Sequence, residues 1–303
     1  MMDAIDLFAG AGGFTEGAKR AGVRVVWAGN HNPLAVRTHA DNHPEVRHVC
    51  QDLHQADWRD VPAHDALLAS PACQGHTRAR GKERPHHDAT RSTAWAVVSA
   101  LEYHRPAFGL IENVPEFQAW TLYPAWSQAM NALGYALAPH VVDAADFGVP
   151  QHRKRLMIVA TRSRRPIKLK LPRHDHRPIA PLIEWDRYPW SQVADKAEAT
   201  RRRVANGRYR FGTRFLAPYY GSGSGTTGRS LARPIGTITT LDRWAVIDGD
   251  RIRMLQPSEL LGAMSFQPDY ILPADRRSAI SQLGNAVPPL MAAGMLDAIR
   301  AAV

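Results

Sequence analysis

The sequence predicts an α/β fold built on a mostly parallel sheet, with a smaller irregular region inserted toward its end. Three observations carry this. Short apolar runs alternate with helix-like stretches through the first 160 residues, the runs end in glycine turns or polar motifs, and the alternation fades from about residue 161. In order, 4–8 reads as a strand, 10–13 as a glycine turn, 15–21 as the start of a helix and 23–28 as a second strand. A short apolar run at 66–69 ends at Ser70-Pro71. Residues 93–103 have helical apolar spacing without Gly or Pro, 108–111 is a strand that stops at Glu112-Asn113, and 156–160 is a later strand. Strands alternating with helices give a sheet covered by helices, and ligands collect at the carboxyl ends of such strands.

From residue 161 Pro, Arg and aromatic residues rise, and Gly221-Ser222-Gly223-Ser224-Gly225 reads as a flexible loop. Helical texture returns at 289–302, with an apolar pattern suited to packing back on the first region. The expected division is therefore 1–160 plus 266–303 as one domain and 161–265 as a second.

With 45% hydrophobic and 22% charged residues, the 303-residue chain falls in the soluble globular class. No apolar run approaches the roughly 18–20 residues of a membrane span. Met1-Met2-Asp3-Ala4-Ile5-Asp6 has neither basic region nor apolar core, so no secretory signal is expected. Two cysteines, Cys50 and Cys73, exclude a disulfide scaffold or a multi-cysteine zinc site and fit a reducing cytoplasm. The net charge of +10 is unevenly spread: residues 161–232 hold 16 Lys+Arg against 5 Asp+Glu, which accounts for the whole excess. Focused positive charge attracts a polyanion, nucleic acid first. The plainer alternative is a solvated basic face.

Five motifs carry chemistry. Asp6-Leu7-Phe8-Ala9-Gly10-Ala11-Gly12-Gly13-Phe14 places glycines after the first strand, where the backbone can approach a ligand and the next helix offers free amides. Its spacing is not the dinucleotide fingerprint, and a plain turn competes with a cofactor loop. Ser70-Pro71-Ala72-Cys73-Gln74-Gly75-His76-Thr77 puts a lone cysteine in a loop followed by Arg78, Arg80, Lys82 and Arg84. Nearby cations stabilise a thiolate and can also hold phosphates, so Cys73 reads as a nucleophile, whereas Cys50 reads as structural. Glu112 at a strand end can act as an acid or hold a base ring, or simply cap a helix. Gln151-His152-Arg153-Lys154-Arg155 precedes a strand, and alternation would aim Arg153 and Arg155 at one anionic site. Gln282-Leu283-Gly284-Asn285-Ala286-Val287-Pro288-Pro289 reads as a turn before the last helix.

The order of these motifs resembles the cytosine-5 DNA methyltransferase family, of bacterial or phage type, across nearly the whole chain. Asp6–Gly17 resembles its cofactor loop, Pro71-Ala72-Cys73-Gln74 its nucleophile loop, Glu112-Asn113-Val114 its Glu-Asn-Val motif and Gln151-x-Arg153-x-Arg155 its Gln-x-Arg-x-Arg motif. Arg233-Pro234-Ile235-Gly236-Thr237-Ile238-Thr239-Thr240 resembles the segment closing the recognition region, and Gly284-Asn285-Ala286-Val287 the last cofactor motif. The resemblance implies a Rossmann-like catalytic domain, S-adenosylmethionine as methyl donor and double-stranded DNA as partner. It also implies a monomer in the cytoplasm, with no metal and no membrane.

By the same resemblance Cys73 would attack carbon 6 of a flipped cytosine, Glu112 would hold and protonate ring nitrogen 3, Arg155 would contact the base oxygen and Arg153 would help order the site. Phe8, Gly10, Gly12, Gly13, Asn30, His31, Asp52, Leu53, Pro71, Asn285 and Val287 would bind the cofactor. Gln74, Thr77, Arg78 and Arg80 would meet DNA; Arg201, Arg202 and Arg203 would clamp phosphates, and Arg208, Arg210 and Arg214 would read the groove. One departure stands out: Asn30-His31-Asn32 replaces the acidic residue expected at the second strand's end to grip the ribose hydroxyls. Ala72, where many relatives have Pro, is a smaller one. Two other readings remain. An RNA-methylating branch is marked by a Cys-Phe-Thr element, and this chain has no Cys after Cys73. A sequence-specific DNA-binding regulator with impaired catalysis would not require Cys73, Glu112 and Arg155 together.

Overall fold

The structure, a computed structural model, describes residues 1–72, 93–219 and 227–303. Seven strands form the main sheet: β1 (Met2–Leu7), β2 (Val23–Asn30), β3 (Arg47–Cys50), β4 (Ala66–Ala69), β5 (Phe108–Asn113), β6 (Ala136–Asp143) and β7 (Lys154–Thr161). Their order is β3-β2-β1-β4-β5-β7-β6. β1 to β5 are parallel, and β7 runs against both of its neighbours. The chain steps outward from β1 to β3 and then returns to the other side of β1 at β4. That reversal of strand order opens a crevice at the carboxyl ends of β1 and β4.

Alternation within the strands builds two cores. Ala4, Leu68 and Leu110 face α1 (Gly13–Arg20) and α8 (Pro289–Arg300), meeting Phe14, Ala18, Met291 and Leu296. Leu67, Ile111 and Ile158 point the other way, toward Val97 and Leu101 of α3 (Ala94–His104) and Trp126 and Met130 of α4 (Tyr123–Ala132). The sheet is thus covered on both sides, which is why β4 reads as an unbroken apolar run. Gly17 lets α1 and α8 approach: a Cβ there would lie 2.5 Å from the Ala292 Cβ.

The periodicity missed β3, β6, α2 (Pro33–Asn42), α4 and α7 (Arg276–Asn285). β3 and β6 are the sheet's edges, and Pro139 interrupts β6 at no cost because an edge strand can spare a donor. Gln282 to Asn285, expected in a turn, form the last part of α7; Asp275 caps that helix and Pro288-Pro289 prevents its continuation into α8.

The region from 161 is more regular than its composition suggests. β8 (Ser191–Gln192), β9 (Arg214–Pro218), β10 (Trp244–Asp248) and β11 (Arg251–Met254) form an antiparallel sheet in the order β8-β11-β10-β9. The strands were obscured because they are at most five residues long and because Arg214, Arg251 and Arg253 interrupt the apolar pattern of β9 and β11. α5 (Glu198–Phe211) covers one face through Val204 and Phe211 against Phe215, Ala217 and Ile247. The other face, with Leu216, Trp244 and Val246, shares a core with α6 (Pro257–Ala263) and with Ile280 and Leu283 of α7. A buried ion pair anchors this core. Glu259 accepts Arg253 Nη2 at 2.7 Å and Arg253 Nη1 at 2.8 Å, and also the backbone amides of Gln256 and Glu184. Residues 162–173, by contrast, lie on the main sheet, where Ile167, Leu169 and Leu171 pack against the core beneath α1 and α8.

Candidate active site

The crevice at the strand-order reversal is a pocket lined by Phe8, Gly10, Ala11, Phe14, Asn30, His31, Asn32, Pro71, Ala72, Glu112, Gln282, Asn285 and Val287, among others. It draws on the ends of β1, β2, β4 and β5 and on the connection from α7 to α8. Phe8 leaves β1 with φ +60°, in the left-handed region that a bulky residue adopts only under constraint, and Gly10 follows at +56°. Gly12 and Gly13 serve differently from Gly10. A Cβ on Gly12 would lie 2.5 Å from the Tyr270 hydroxyl, and one on Gly13 would lie 2.0 Å from the Val287 carbonyl oxygen. Gly13 seats the loop against the last motif and Gly12 seats it against Tyr270, and neither lines the pocket.

At the end of β2, Asn30 is buried, and its Oδ1 accepts the Asn32 amide at 3.0 Å. Asn32 caps α2, its Oδ1 accepting from Leu34 and Ala35. His31 lines the pocket but is exposed. Asp52 and Leu53 do not line it: the Asp52 carboxylate caps a short 3-10 turn by accepting the His54 amide, and Leu53 is buried below Gly29.

Beyond β4, the Ser70 amide donates to the Leu7 carbonyl and Asn113 Nδ2 donates to the Pro71 carbonyl, which fixes this turn against β1 and β5. The Ala72 amide donates to Thr93 Oγ1 at 3.1 Å. Cys73, Gln74, Thr77, Arg78 and Arg80 lie outside the described residues.

The Gln-x-Arg-x-Arg motif sends its side chains to separate places. Arg155, on β7, pairs with Glu112 at 2.7 Å between Nε and Oε1, with both side chains nearly buried. Register explains this pairing: Glu112 stands opposite Met157, so Arg155, two residues before, shares its face. Arg153 precedes the strand and turns inward. Its guanidinium donates to the carbonyls of Ile238 at 2.9 Å, Gly284 at 2.8 Å and Ala286 at 3.0 Å. The expectation that Arg153 and Arg155 share one anionic site therefore fails, because strand alternation does not extend to a residue outside the strand. Gln151, fully buried, accepts the Ile238 amide and donates to Met264 Sδ. Gly284 permits the close approach of this segment; a Cβ there would lie 2.3 Å from the Thr239 carbonyl carbon. Three motifs far apart in sequence thus meet in one knot behind the pocket.

Comparison with known proteins decides what this assembly is. The family model described as C-5 cytosine-specific DNA methylase matches residues 2–301. The chain belongs to that family. Among curated relatives, it is 28% identical to the type II methyltransferase M.NlaX of Neisseria lactamica over 95% of this chain and 92% of that protein. It is 26% identical to M1.HphI of Haemophilus parahaemolyticus over 97% and 86%. A solved structure of a prophage-encoded DNA modification methyltransferase from E. coli superposes with a TM-score of 0.74 at 18% identity, covering 100% of this chain and 99% of that one. Together they place the fold as a Rossmann-like methyltransferase.

This member of the family has a buried polar chain behind its glycine loop that its motifs did not single out. Thr15 Oγ1 donates to Asp6 Oδ2 at 2.9 Å, His39 Nε2 meets Thr15 Oγ1 at 3.0 Å, and His39 Nδ1 meets His48 Nε2 at 2.8 Å. Burial pushes the Asp6 carboxyl up to about 7 and the His43 imidazole down to about 4. Burial also holds His39 well below the ordinary histidine range. The period-four spacing of His39 and His43 was the signal available. On the pocket side, Gln282 Oε1 is buried without a hydrogen-bond partner among the described residues.

The basic candidates divide as well. Arg208 pairs with Asp250 at 2.8 Å and Arg214 with Asp248 at 2.9 Å, at the β10–β11 turn. Arg203 lies 4.3 Å over the Tyr219 ring. Arg201, Arg202 and Arg210 are unpaired among the described residues, and Arg202 shares a face of α5 with Tyr209, which is 94% exposed. Cys50, expected to be structural, is exposed, since β3 is an edge strand; its thiol lies 3.8 Å from the His31 carbonyl oxygen. No described helix is long and apolar enough to cross a membrane.

Proposed function

We propose that this methylase transfers a methyl group to carbon 5 of a cytosine flipped out of double-stranded DNA, by way of a covalent adduct to Cys73. The observation that carries the reading is Glu112, held by Arg155 and lining the pocket that Ala72, the neighbour of Cys73, also lines. A carboxyl group held by a guanidinium is fixed in orientation, as a group that must meet a ring nitrogen requires. With nitrogen 3 protonated from Glu112, the Cys73 thiolate adds to carbon 6, and electron density shifts to carbon 5. Carbon 5 then takes the methyl group; loss of its proton and expulsion of the thiolate restore the ring and the nucleophile. The target atom is unreachable within a stacked duplex, so the base must leave the helix. Arg155 would contact the base oxygen. Arg153 acts as a positioning residue.

S-adenosylmethionine would supply the electrophilic methyl group when bound. The pocket's chemistry fits it. Phe8 offers an aromatic face for an adenine, Gly10 an open backbone, and Gln282 Oε1 an unsatisfied acceptor. Asn30, with its Oδ1 engaged by Asn32, would offer its amide NH₂ to a ribose oxygen in place of the usual carboxylate. Residues 1–160 plus 266–303 would form the catalytic domain, with 162–173 laid on its sheet, and the remainder of 161–265 the target-recognition domain, with Arg201, Arg202 and Arg210 as backbone contacts. The relatives' names suggest a restriction–modification setting, and a cytoplasmic monomer fits it.

Incubation with duplex DNA and labelled S-adenosylmethionine should place label in 5-methylcytosine, and Cys73→Ser should abolish it while DNA binding survives. Full turnover by the serine variant would overturn the nucleophile assignment. DNA carrying 5-fluorocytosine should trap a complex stable on denaturing gels.

A further inference from the structure

Residues 162–173 hold six cations, Arg162, Arg164, Arg165, Lys168, Lys170 and Arg173, with no Asp or Glu among them. The segment starts at the amino end of β5, where the Arg162 amide donates to the Ala107 carbonyl, opposite to the pocket. It then climbs the main sheet, with Ile167, Leu169 and Leu171 half-buried and Lys168 and Lys170 exposed between them. The side chains of Arg164, Arg165, Lys168 and Lys170 have no hydrogen-bond or ionic partner among the described residues. The arginines of the small sheet, Arg214, Arg251 and Arg253, are in contrast neutralised by Asp248 and Glu259. Arg162 and Arg164 also line an open groove with Tyr123, Ser127 and Asn131.

We propose that this strap is a second nucleic-acid contact, which grips the phosphates of a duplex segment other than the one whose cytosine enters the pocket. The proposal rests on the reading of the chain as an enzyme of duplex DNA. Period-two exposure spaces Lys168 and Lys170 by about 6.7 Å, two residues of extended chain, which is close to two 3.4 Å rises along one DNA strand. Lysines act as point charges and give no base readout, so the contact is indifferent to sequence. Holding a second segment would let the enzyme pass between stretches of DNA without full release.

The test uses the full chain carrying Arg164→Gln, Arg165→Gln, Lys168→Gln and Lys170→Gln, all exposed positions, with its melting curve matched to the parent. A 30-base-pair random duplex is immobilised, protein is added, and capture of a second, fluorescent duplex is read at 50 mM salt. The parent should capture it, and the variant should capture at least about tenfold less. The slope of log K against log salt should fall by about 3 to 4, at roughly 0.9 per cation. Equal capture by both proteins, or none by the parent, would overturn the proposal. So would strap-dependent binding of phosphatidylserine vesicles that displaces the duplex. A chain that bridges duplexes but transfers no methyl group would sink the enzymatic reading alone; one that methylates without bridging would sink this one.

Discussion

Behind the pocket at the carboxyl end of the main sheet two arginines are committed to partners, whereas four cations of the 162–173 strap have exposed side chains with no partner among the described residues. Arg153 is buried among three carbonyls and Arg155 is clamped to Glu112. Arg164, Arg165, Lys168 and Lys170 have no such partners. The same residue type therefore does different work according to how far water has been removed. A buried guanidinium needs every donor matched and in return fixes geometry; an exposed cation keeps its hydration and interacts at range. The small sheet lies between these limits, with Arg208 and Arg214 paired but half in water.

The largest break in this contrast should come at the reacting groups. Glu112→Gln should lower methyl transfer by at least about a thousandfold while DNA affinity stays within a few fold, as single-turnover kinetics would reveal. Next come the buried partners. Glu259→Ala leaves Arg253 charged and unmatched and should cost about 3–5 kcal/mol in a denaturant titration. Arg153→Ala strands three carbonyls in the knot behind the pocket and should cost about 3 kcal/mol, with weaker cofactor binding as a second readout. Arg208→Ala and Arg214→Ala, in contrast, should each cost no more than about 1 kcal/mol; a loss of 3 kcal/mol at either would erase the distinction between buried and exposed pairs.

A pH profile gives a subtler test. His43 is held neutral, at about 4 against an ordinary 6.5, so its contribution to stability is complete above pH 6.5 and is lost as pH falls toward 4. Asp6 runs the other way: raised to about 7, it favours the folded state below about pH 4 and loses that contribution as pH rises through 7. His39 and His48, also lowered, reinforce His43. The melting temperature should therefore fall between pH 6.5 and 4.5, and His43→Gln should flatten that fall.

Much of the main sheet was legible from the amino-acid order. β1, β2, β4, β5 and β7 are buried on two faces, and burial forces an apolar run that any reader of the sequence can see. The glycine loop, Pro71 and Glu112 were legible for a related reason, since they lie at or just beyond the ends of β1, β4 and β5, where the apolar run gives way to small or polar residues; Asn285 and Val287, between two helices, were legible only through the order of the motifs. The small sheet was not, because its strands are only two to five residues long and arginines interrupt two of them, which leaves too short a period to read. The destinations of Arg153 and Arg155 were likewise undecided by the chain alone. Two residues of the same type, two positions apart, parted because one entered a strand whose register met a carboxylate and the other stopped short of it. Sequence by itself determined the layers and the kind of chemistry, through hydrophobic period and residue type. Tertiary structure decided which charges were neutralised and which were left facing water, because pairing depends on distance in space and on desolvation, and neither is written in local order.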